Sequence, residues 1–360
     1  MTHKRKILLC GGGTGGHYYP LMAIKEKLES FSKFDFCYVG AKKGIESKKI
    51  HEQNIPFKLL RIKGFQRGIS FKSFIRNFTM IMNVAVGCIK TLWFFKKEKP
   101  QMVISTGGYS SFIPLIVARF LRIPYLMHEQ NSFPGIVTRI FSRKAKMIFL
   151  GFENASKFLK KSNILFTGNP VLLKNSKKIQ LKLNEGLKTL MIFGGSQGSL
   201  IINKTIAKLI SEELIKNFNI IWIVGEKNYE KYESFNRDNI NVIGYCNSMS
   251  QVYEISNLAI TRAGAMTVSE LIKFKLPSIL IPLKYSAENH QFFNAQFLKS
   301  NGCSDLIEEK ELDHNLILEK INKICLNGEI EKKMISNYNS IERPNSLLII
   351  SKFIEENYAS

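Results

Sequence analysis

Ile7-Leu8-Leu9-Cys10-Gly11-Gly12-Gly13-Thr14-Gly15-Gly16-His17 reads as a short buried strand running into a glycine-rich turn. Five glycines fall within six positions, and an apolar, helix-like run over 21–28 follows Pro20. A strand that ends in such a turn and feeds a helix aims backbone N–H groups outward at a helix N-terminus, which suits a phosphate or another anion. Glycine serves there because the turn visits positive φ and because a Cβ would block close approach. A tight turn in any doubly wound fold has the same look, so the stretch sets the fold class and leaves the ligand open.

The pattern recurs outward from it. Residues 34–39 read as a second strand, ending at Gly40. A strand over 102–106 leads into Gly107-Gly108-Tyr109-Ser110-Ser111 and a helix over 113–121. Another over 124–127 ends in His128-Glu129-Gln130-Asn131, and strands at 147–150 and 164–166 close the half before a hinge at Gly168-Asn169-Pro170. The pattern then restarts: a strand over 190–193, the loop Gly194-Gly195-Ser196-Gln197-Gly198-Ser199, and a helix through Ile210. Further strands fall at 220–224, 242–243, 258–261 and 278–281. Two similar α/β domains with mostly parallel sheets are expected, over 1–167 and 168–342, with an amphipathic C-terminal helix in 343–360. That helix aligns Leu347, Ile350, Ile354 and Tyr358 on one face, with Pro344 suited to its first turn.

The 360-residue chain carries a formal net charge of +23, which points to an anionic partner: nucleic acid, an acidic membrane surface or a phosphorylated substrate. A lysine-rich proteome gives the same sum. Six scattered cysteines, without a Cys-x-x-Cys pair and away from the histidines, argue against structural zinc and a disulfide framework and fit a reducing cytoplasm. The basic N-terminus is no signal peptide, since only residues 7–10 follow as an apolar run. Residues 53–99 interleave basic and apolar side chains. The run over 78–95 falls short of a bilayer span, broken by Asn83 and Lys90; a buried domain helix preceded by an interfacial patch fits it better. Phe65, Arg67, Ile69, Phe71, Lys72, Phe74 and Arg76 form that patch, the expected contact with an anionic membrane surface.

In the second half, Thr261-Arg262-Ala263-Gly264-Ala265-Met266-Thr267-Val268-Ser269-Glu270 ends a strand, turns on small residues and starts a helix near Ala265. Amides there can hold a diphosphate, and the Glu270 carboxylate can accept two hydrogen bonds from a ribose diol or simply complement the helix dipole. Glu288-Asn289-His290-Gln291 and His128-Glu129-Gln130-Asn131 each follow a strand, where open α/β sheets bind ligands; a solvated loop and a helix cap are the plainer alternatives.

Taken together these motifs resemble the peptidoglycan N-acetylglucosaminyltransferases of glycosyltransferase family 28. The resemblance rests on Gly-Gly-Thr-Gly-Gly-His at 12–17, Gly-Gly-Tyr at 107–109, His-Glu-Gln-Asn at 128–131 and Gly-Asn-Pro-Val at 168–171. Gly-Gly-Ser-Gln-Gly at 194–198, Arg262 with Gly264-Ala265, Thr267-Val268-Ser269-Glu270, and His290-Gln291 with Asn294-Ala295 complete it, in the same order along nearly the whole chain. It implies a GT-B fold, two Rossmann-like domains with parallel sheets facing across a cleft, with the C-terminal helix returning to the N-terminal domain. It implies inverting, metal-free transfer of N-acetylglucosamine from UDP-N-acetylglucosamine to the 4-hydroxyl of undecaprenyl-diphospho-N-acetylmuramoyl-pentapeptide, without a cofactor. The site would be the cytoplasmic face of a bacterial plasma membrane, beside other cell-wall synthesis proteins.

By the same resemblance Thr14, Gly15, Gly16, Asn131, Ser196, Glu270 and Gln291 contact the donor, with Arg262, Ala265, Met266 and Thr267 beside it and the backbone at Cys246 meeting the uracil. Gly13, Gly107, Gly108 and Tyr109 would meet the acceptor's diphosphate. Leu172 stands where relatives often carry a phosphate-contacting arginine, and Ser110-Ser111-Phe112 is bulkier than in many of them. His17, at the end of the first loop, is the expected general base, because imidazole offers a neutral acceptor near neutral pH. Binding the acceptor diphosphate as imidazolium, or capping the helix, are its other roles, and Glu129 is the rival base.

Three other readings compete. A dinucleotide oxidoreductase would place an acid after the second strand, where Gly40-Ala41-Lys42-Lys43 stands. A nucleic-acid binder would explain the charge, but the basic residues crowd among apolar ones and no recognition motif is present. Another GT-B UDP-sugar enzyme, a lipid glucosyltransferase or an epimerase, is the closest alternative.

Overall fold

The computed structural model describes residues 4–62, 71–160, 162–172 and 178–358, with 71–81 described as helical backbone. The chain divides into two compact units, Met1–Val171 with Pro344–Ser360, and Leu172–Arg343. The expected change of domain at 168 thus falls slightly later. Gly168 and Asn169 stay with the first unit through side-chain bonds: Ser346 Oγ donates to the Gly168 carbonyl (2.9 Å) and Asn169 Nδ2 to the Gln130 carbonyl (3.0 Å).

The first unit is built on a seven-stranded sheet of β1 (Arg5–Cys10), β2 (Phe34–Ala41), β3 (Phe57–Leu60), β4 (Met102–Ser105), β5 (Tyr125–Glu129), β6 (Met147–Leu150) and β7 (Ile164–Phe166). Their order is β3-β2-β1-β4-β5-β6-β7, and every pairing is parallel. The second unit has six strands: β8 (Thr189–Phe193), β9 (Asn219–Ile223), β10 (Ile240–Ile243), β11 (Leu258–Thr261), β12 (Ser278–Leu280) and β13 (Ser304–Leu306). Their order is β10-β9-β8-β11-β12-β13, again all parallel.

Helices cover both faces of a parallel sheet, so its central strands are apolar throughout rather than alternating. Leu8, Leu9, Val103, Ile104, Leu126 and Met127 are all buried, as are Leu190, Met191, Ile220, Ile221 and Ile260. This is why the central strands stood out as short apolar runs. The strands not foreseen, β3 and β13, lie at sheet edges and carry Lys58 and Asp305 in place of such a run.

The C-terminal helix Ser346–Tyr358 buries Ile350 and Ile354 in the first unit's core with Ile7, Leu21, Ile24 and Phe149. Phe353 meets Phe149 edge-on at 5.4 Å, and Lys33 pairs with Glu355 at 2.6 Å.

The long helix Phe71–Glu98 corrects one expectation. It is not a wholly buried helix: Gly87, Thr91 and Phe95 face inward, while Met82, Val86, Ile89 and Trp93 are exposed, Trp93 to 70%. Those four recur at helical spacing and form one apolar stripe turned away from the sheet. Phe65, Arg67 and Ile69 of the expected membrane patch lie outside the described residues, and for Phe71, Lys72, Phe74 and Arg76 only helical backbone is described. Among the described residues no helix is long and apolar enough to cross a membrane.

Candidate active site

Both sheets reverse strand order beside their first strand, between β1 and β4 and between β8 and β11. Ligands of open α/β sheets bind at the carboxyl ends of strands at such a point. The conspicuous loops of each unit lie there.

In the first unit, the loop after β1 leads into the helix Gly15–Glu29, whose N-cap residue Thr14 makes no side-chain cap bond. The first-turn amides of a helix have no intrahelical acceptor, so those of Gly15 and Gly16 remain as donors. Gly13 N–H differs, because it donates to Glu46 Oε2 at 2.8 Å, while Ala41 N–H donates to Glu46 Oε1 at 2.9 Å. Glu46 is fully buried and ties the glycine loop to the end of β2. A Cβ at Gly12 would stand 2.5 Å from the Glu46 carboxyl carbon, so glycine there makes room for a carboxylate. Nothing in the hydrophobic pattern marked Glu46, which opens the short helix Glu46–Lys49 beyond the strand.

His17 ends this loop. Its Nδ1 lies 2.8 Å from the Thr106 carbonyl oxygen and 2.8 Å from Gln130 Oε1, and Thr106 Oγ1 donates to the His17 carbonyl at 2.7 Å. The ring rests against the second glycine pair. Gly108, at φ +75°, has its missing Cβ 2.9 Å from His17 Cδ2, so any side chain there would displace the imidazole. Of the amides expected to meet an acceptor diphosphate, Gly13 N–H is taken by Glu46 and Gly107 N–H by Ser105 Oγ (3.1 Å). Tyr109 packs its ring where a Gly13 Cβ would be.

Glu129, the rival base, is buried at the end of β5. Its Oε1 accepts from the Asn131 backbone N–H (3.0 Å) and from Asn131 Nδ2 (3.2 Å), and its Oε2 accepts from Gly135 N–H (3.1 Å). The carboxylate is thus spent on shaping its own loop. His128 is buried beside it, and desolvation pushes its imidazole down to about 4.

In the second unit, Ser196 is exposed in the loop after β8. Ala265, Met266 and Thr267 form the first turn of the helix Ala265–Phe274 behind the N-cap residue Gly264. Glu270 lies in the next turn. Its Oε2 accepts from Tyr253 Oη at 2.7 Å, and Tyr253 is held by stacking on Phe274 at 5.1 Å. Burial pushes the Glu270 carboxyl up to about 7, against the pull of the Tyr253 hydroxyl and Lys273.

Arg262 does not present a free guanidinium. It is buried, donating to the carbonyls of Ile281 (3.1 Å) and Pro282 (3.4 Å), to Ser199 Oγ (2.8 Å) and to Glu309 Oε1 (2.7 Å). Glu309 Oε2 also accepts from Lys284 N–H at 2.9 Å, so this ion pair ties together the loops after β8, β12 and β13. Gln291 Oε1 accepts from Leu283 N–H at 2.9 Å. Cys246 is buried in the loop after β10, and burial raises its thiol. Leu172 is exposed. Tyr253 and Glu309 were not foreseen, since each lies far in sequence from the group it holds.

These two parallel-sheet units, with glycine loops at their strand ends, are those of a GT-B-type glycosyltransferase. The chain belongs to glycosyltransferase family 28: residues 7–150 match the family's N-terminal domain and residues 189–346 its C-terminal domain. It is 35% identical over 97% of both chains to a Carboxydothermus hydrogenoformans protein named UDP-N-acetylglucosamine–N-acetylmuramyl-(pentapeptide) pyrophosphoryl-undecaprenol N-acetylglucosamine transferase. To a Ruminiclostridium cellulolyticum protein of the same name it is 36% identical, over 92% of this chain and 94% of that one. Its fold is similar to that of Acinetobacter baumannii MurG, with a TM-score of 0.76 at 23% identity over 98% and 99% of the two chains.

Glu270 makes stability depend on pH. A carboxyl raised from 4.5 to about 7 keeps a proton in the folded state that the unfolded chain releases, so its contribution is lost as pH rises through that window. Glu270→Gln keeps an acceptor for Tyr253 and carries no charge. Its melting temperature relative to the parent chain should therefore be higher at pH 8 than at pH 5, by differential scanning calorimetry; an equal difference at both pH values contradicts this.

Proposed function

We infer that this chain transfers N-acetylglucosamine from UDP-N-acetylglucosamine to the muramic sugar of an undecaprenyl-diphosphate-linked muramoyl-pentapeptide. The observation that carries the reading is the match, over nearly the full length of both chains, to relatives bearing that activity in their names.

The acceptor's 4-hydroxyl attacks the anomeric carbon of the donor sugar from the face opposite the diphosphate. The bond from that carbon to the diphosphate oxygen breaks, UDP departs and the configuration inverts. Nε2 of His17 takes the hydroxyl proton. Among the described residues this nitrogen has no hydrogen-bond partner, whereas the carboxylate of Glu129 is occupied. Amides of Ala265, Met266 and Thr267, with Ser196, receive the donor diphosphate at a helix N-terminus. Glu270, already oriented by Tyr253, accepts from the ribose diol. Gln291, whose carbonyl is held by Leu283, has no partner for its amide nitrogen among the described residues, and that nitrogen donates to the sugar. Thr14, Gly15 and Gly16 add donors from the first loop.

A lipid-linked acceptor calls for membrane contact, on the cytoplasmic face, and among the described residues no helix is long and apolar enough to cross a membrane. The stripe Met82, Val86, Ile89 and Trp93 supplies apolar surface, and Phe120 and Leu121, at the C-terminal end of the helix Phe112–Phe120 that packs on the same long helix, are exposed as well. Lys90, Lys96, Lys97, Lys99, Arg119 and Arg122 supply exposed positive charge, with Lys96 Nζ lying 5.8 Å from the Trp93 ring. Apolar insertion and attraction to anionic lipid add.

Two measurements follow. Radiolabelled UDP-N-acetylglucosamine should label an undecaprenyl-type muramoyl-pentapeptide acceptor and leave diacylglycerol unlabelled; the reverse would make the chain a lipid glycosyltransferase of another kind. Ile89→Glu with Trp93→Glu should weaken binding to anionic vesicles by about tenfold or more, since a buried large apolar side chain is worth about 1.5–3 kcal/mol. Unchanged vesicle binding would remove the stripe from the membrane surface.

A further inference from the structure

The proposed chemistry uses His17 and leaves His128 and Gln130 idle, although both are buried, Gln130 within hydrogen-bond reach of His17 and His128 within reach of Gln130. Their geometry determines where the protons sit. Gln130 Nε2 lies 2.9 Å from the His128 carbonyl oxygen, which can only accept. The amide nitrogen of Gln130 therefore faces His128, and its Oε1 faces His17 Nδ1 at 2.8 Å. The other neighbour of that Nδ1, the Thr106 carbonyl at 2.8 Å, is also an acceptor. A ring nitrogen between two acceptor oxygens must carry the hydrogen. In the neutral ring the lone pair is then on Nε2.

The other side of the chain is determined the same way. Gln130 Nε2 also lies 2.9 Å from His128 Nδ1, to which it donates. The hydrogen of His128 is thus on Nε2, which donates to the Gly168 carbonyl at 3.1 Å. Desolvation keeps His128 neutral, so it does not gain a second proton that would turn the Gln130 amide around. The same carbonyl accepts from Thr167 Oγ1 at 3.0 Å and Ser346 Oγ at 2.9 Å, which anchors the far end.

We propose that Gln130 and His128 are positioning residues that lock His17 in its Nδ1–H tautomer and so present the Nε2 lone pair as proton acceptor. The proposal rests on the reading of His17 as the base. The relay of hydrogen bonds runs Gly168 carbonyl, His128, Gln130, His17, each member holding the next in one protonation pattern.

The test separates the relay from the chemistry. The full chain, labelled with nitrogen-15 at histidine, is examined without substrate by two-bond proton–nitrogen correlation. His17 should show its proton on Nδ1 and His128 on Nε2, opposite tautomers in one protein. A His17 proton on Nε2 overturns the proposal whatever the enzyme's activity. Gln130→Leu, similar in volume, should leave His17 a mixture of tautomers and lower kcat about tenfold or more with the donor KM unchanged. Gln130→Leu that keeps a pure Nδ1–H His17, or that keeps full kcat after the tautomer has become mixed, overturns it too. Should Gln130→Leu not fold, the spectrum of the unsubstituted chain decides alone. Loss of kcat in His17→Ala tests the base itself, so failure of that reading is seen separately.

Discussion

All strands of each sheet point the same way, so every strand in a unit delivers its carboxyl end to one edge. In the first unit that edge gathers the glycine loop after β1, Gly107–Gly108 after β4 and His128–Asn131 across the end of β5. Residues far apart in sequence become neighbours: His17 meets Thr106 and Gln130, and Gly13 meets Glu46. A parallel sheet has this property wherever strand order reverses, and both units reverse beside their first strand.

Three carboxylates show how environment assigns work. Glu46 and Glu129 each accept two backbone N–H groups, Glu129 also the Asn131 side-chain amide, and both serve to shape loops. Among the described residues Glu270 has one donor, the Tyr253 hydroxyl, and burial raises its carboxyl to about 7. A desolvated carboxylate with unused acceptor capacity gains most from a ligand that brings hydroxyl donors. The same contrast separates the two candidate bases, because Glu129 is occupied while His17 keeps one nitrogen free of any described partner.

Much of this was legible in the sequence. Buried central strands are apolar on both faces, so β1, β4, β5, β8 and β11 announced themselves, and the glycines marked the turns that follow. The edge strands β3 and β13 did not, since an edge position tolerates Lys58 and Asp305. Side-chain partnerships across the strand ends also escaped. Tyr253 reaches Glu270, and Glu309 reaches Arg262, through folding that no local pattern encodes. The long helix misled because its apolar residues suggested burial, whereas its outer stripe is exposed; an apolar face looks the same in sequence whether protein or lipid covers it.

The central claim is that His17 Nε2 removes the acceptor's proton, and general-base catalysis is worth about 10²–10⁴-fold. Steady-state kinetics of His17→Ala, with donor and lipid acceptor varied separately, tests it most directly. The account predicts a kcat lowered by about that factor with the donor KM nearly unchanged. A kcat that is retained while the acceptor KM rises would contradict it, and would make His17 a ligand of the acceptor's diphosphate.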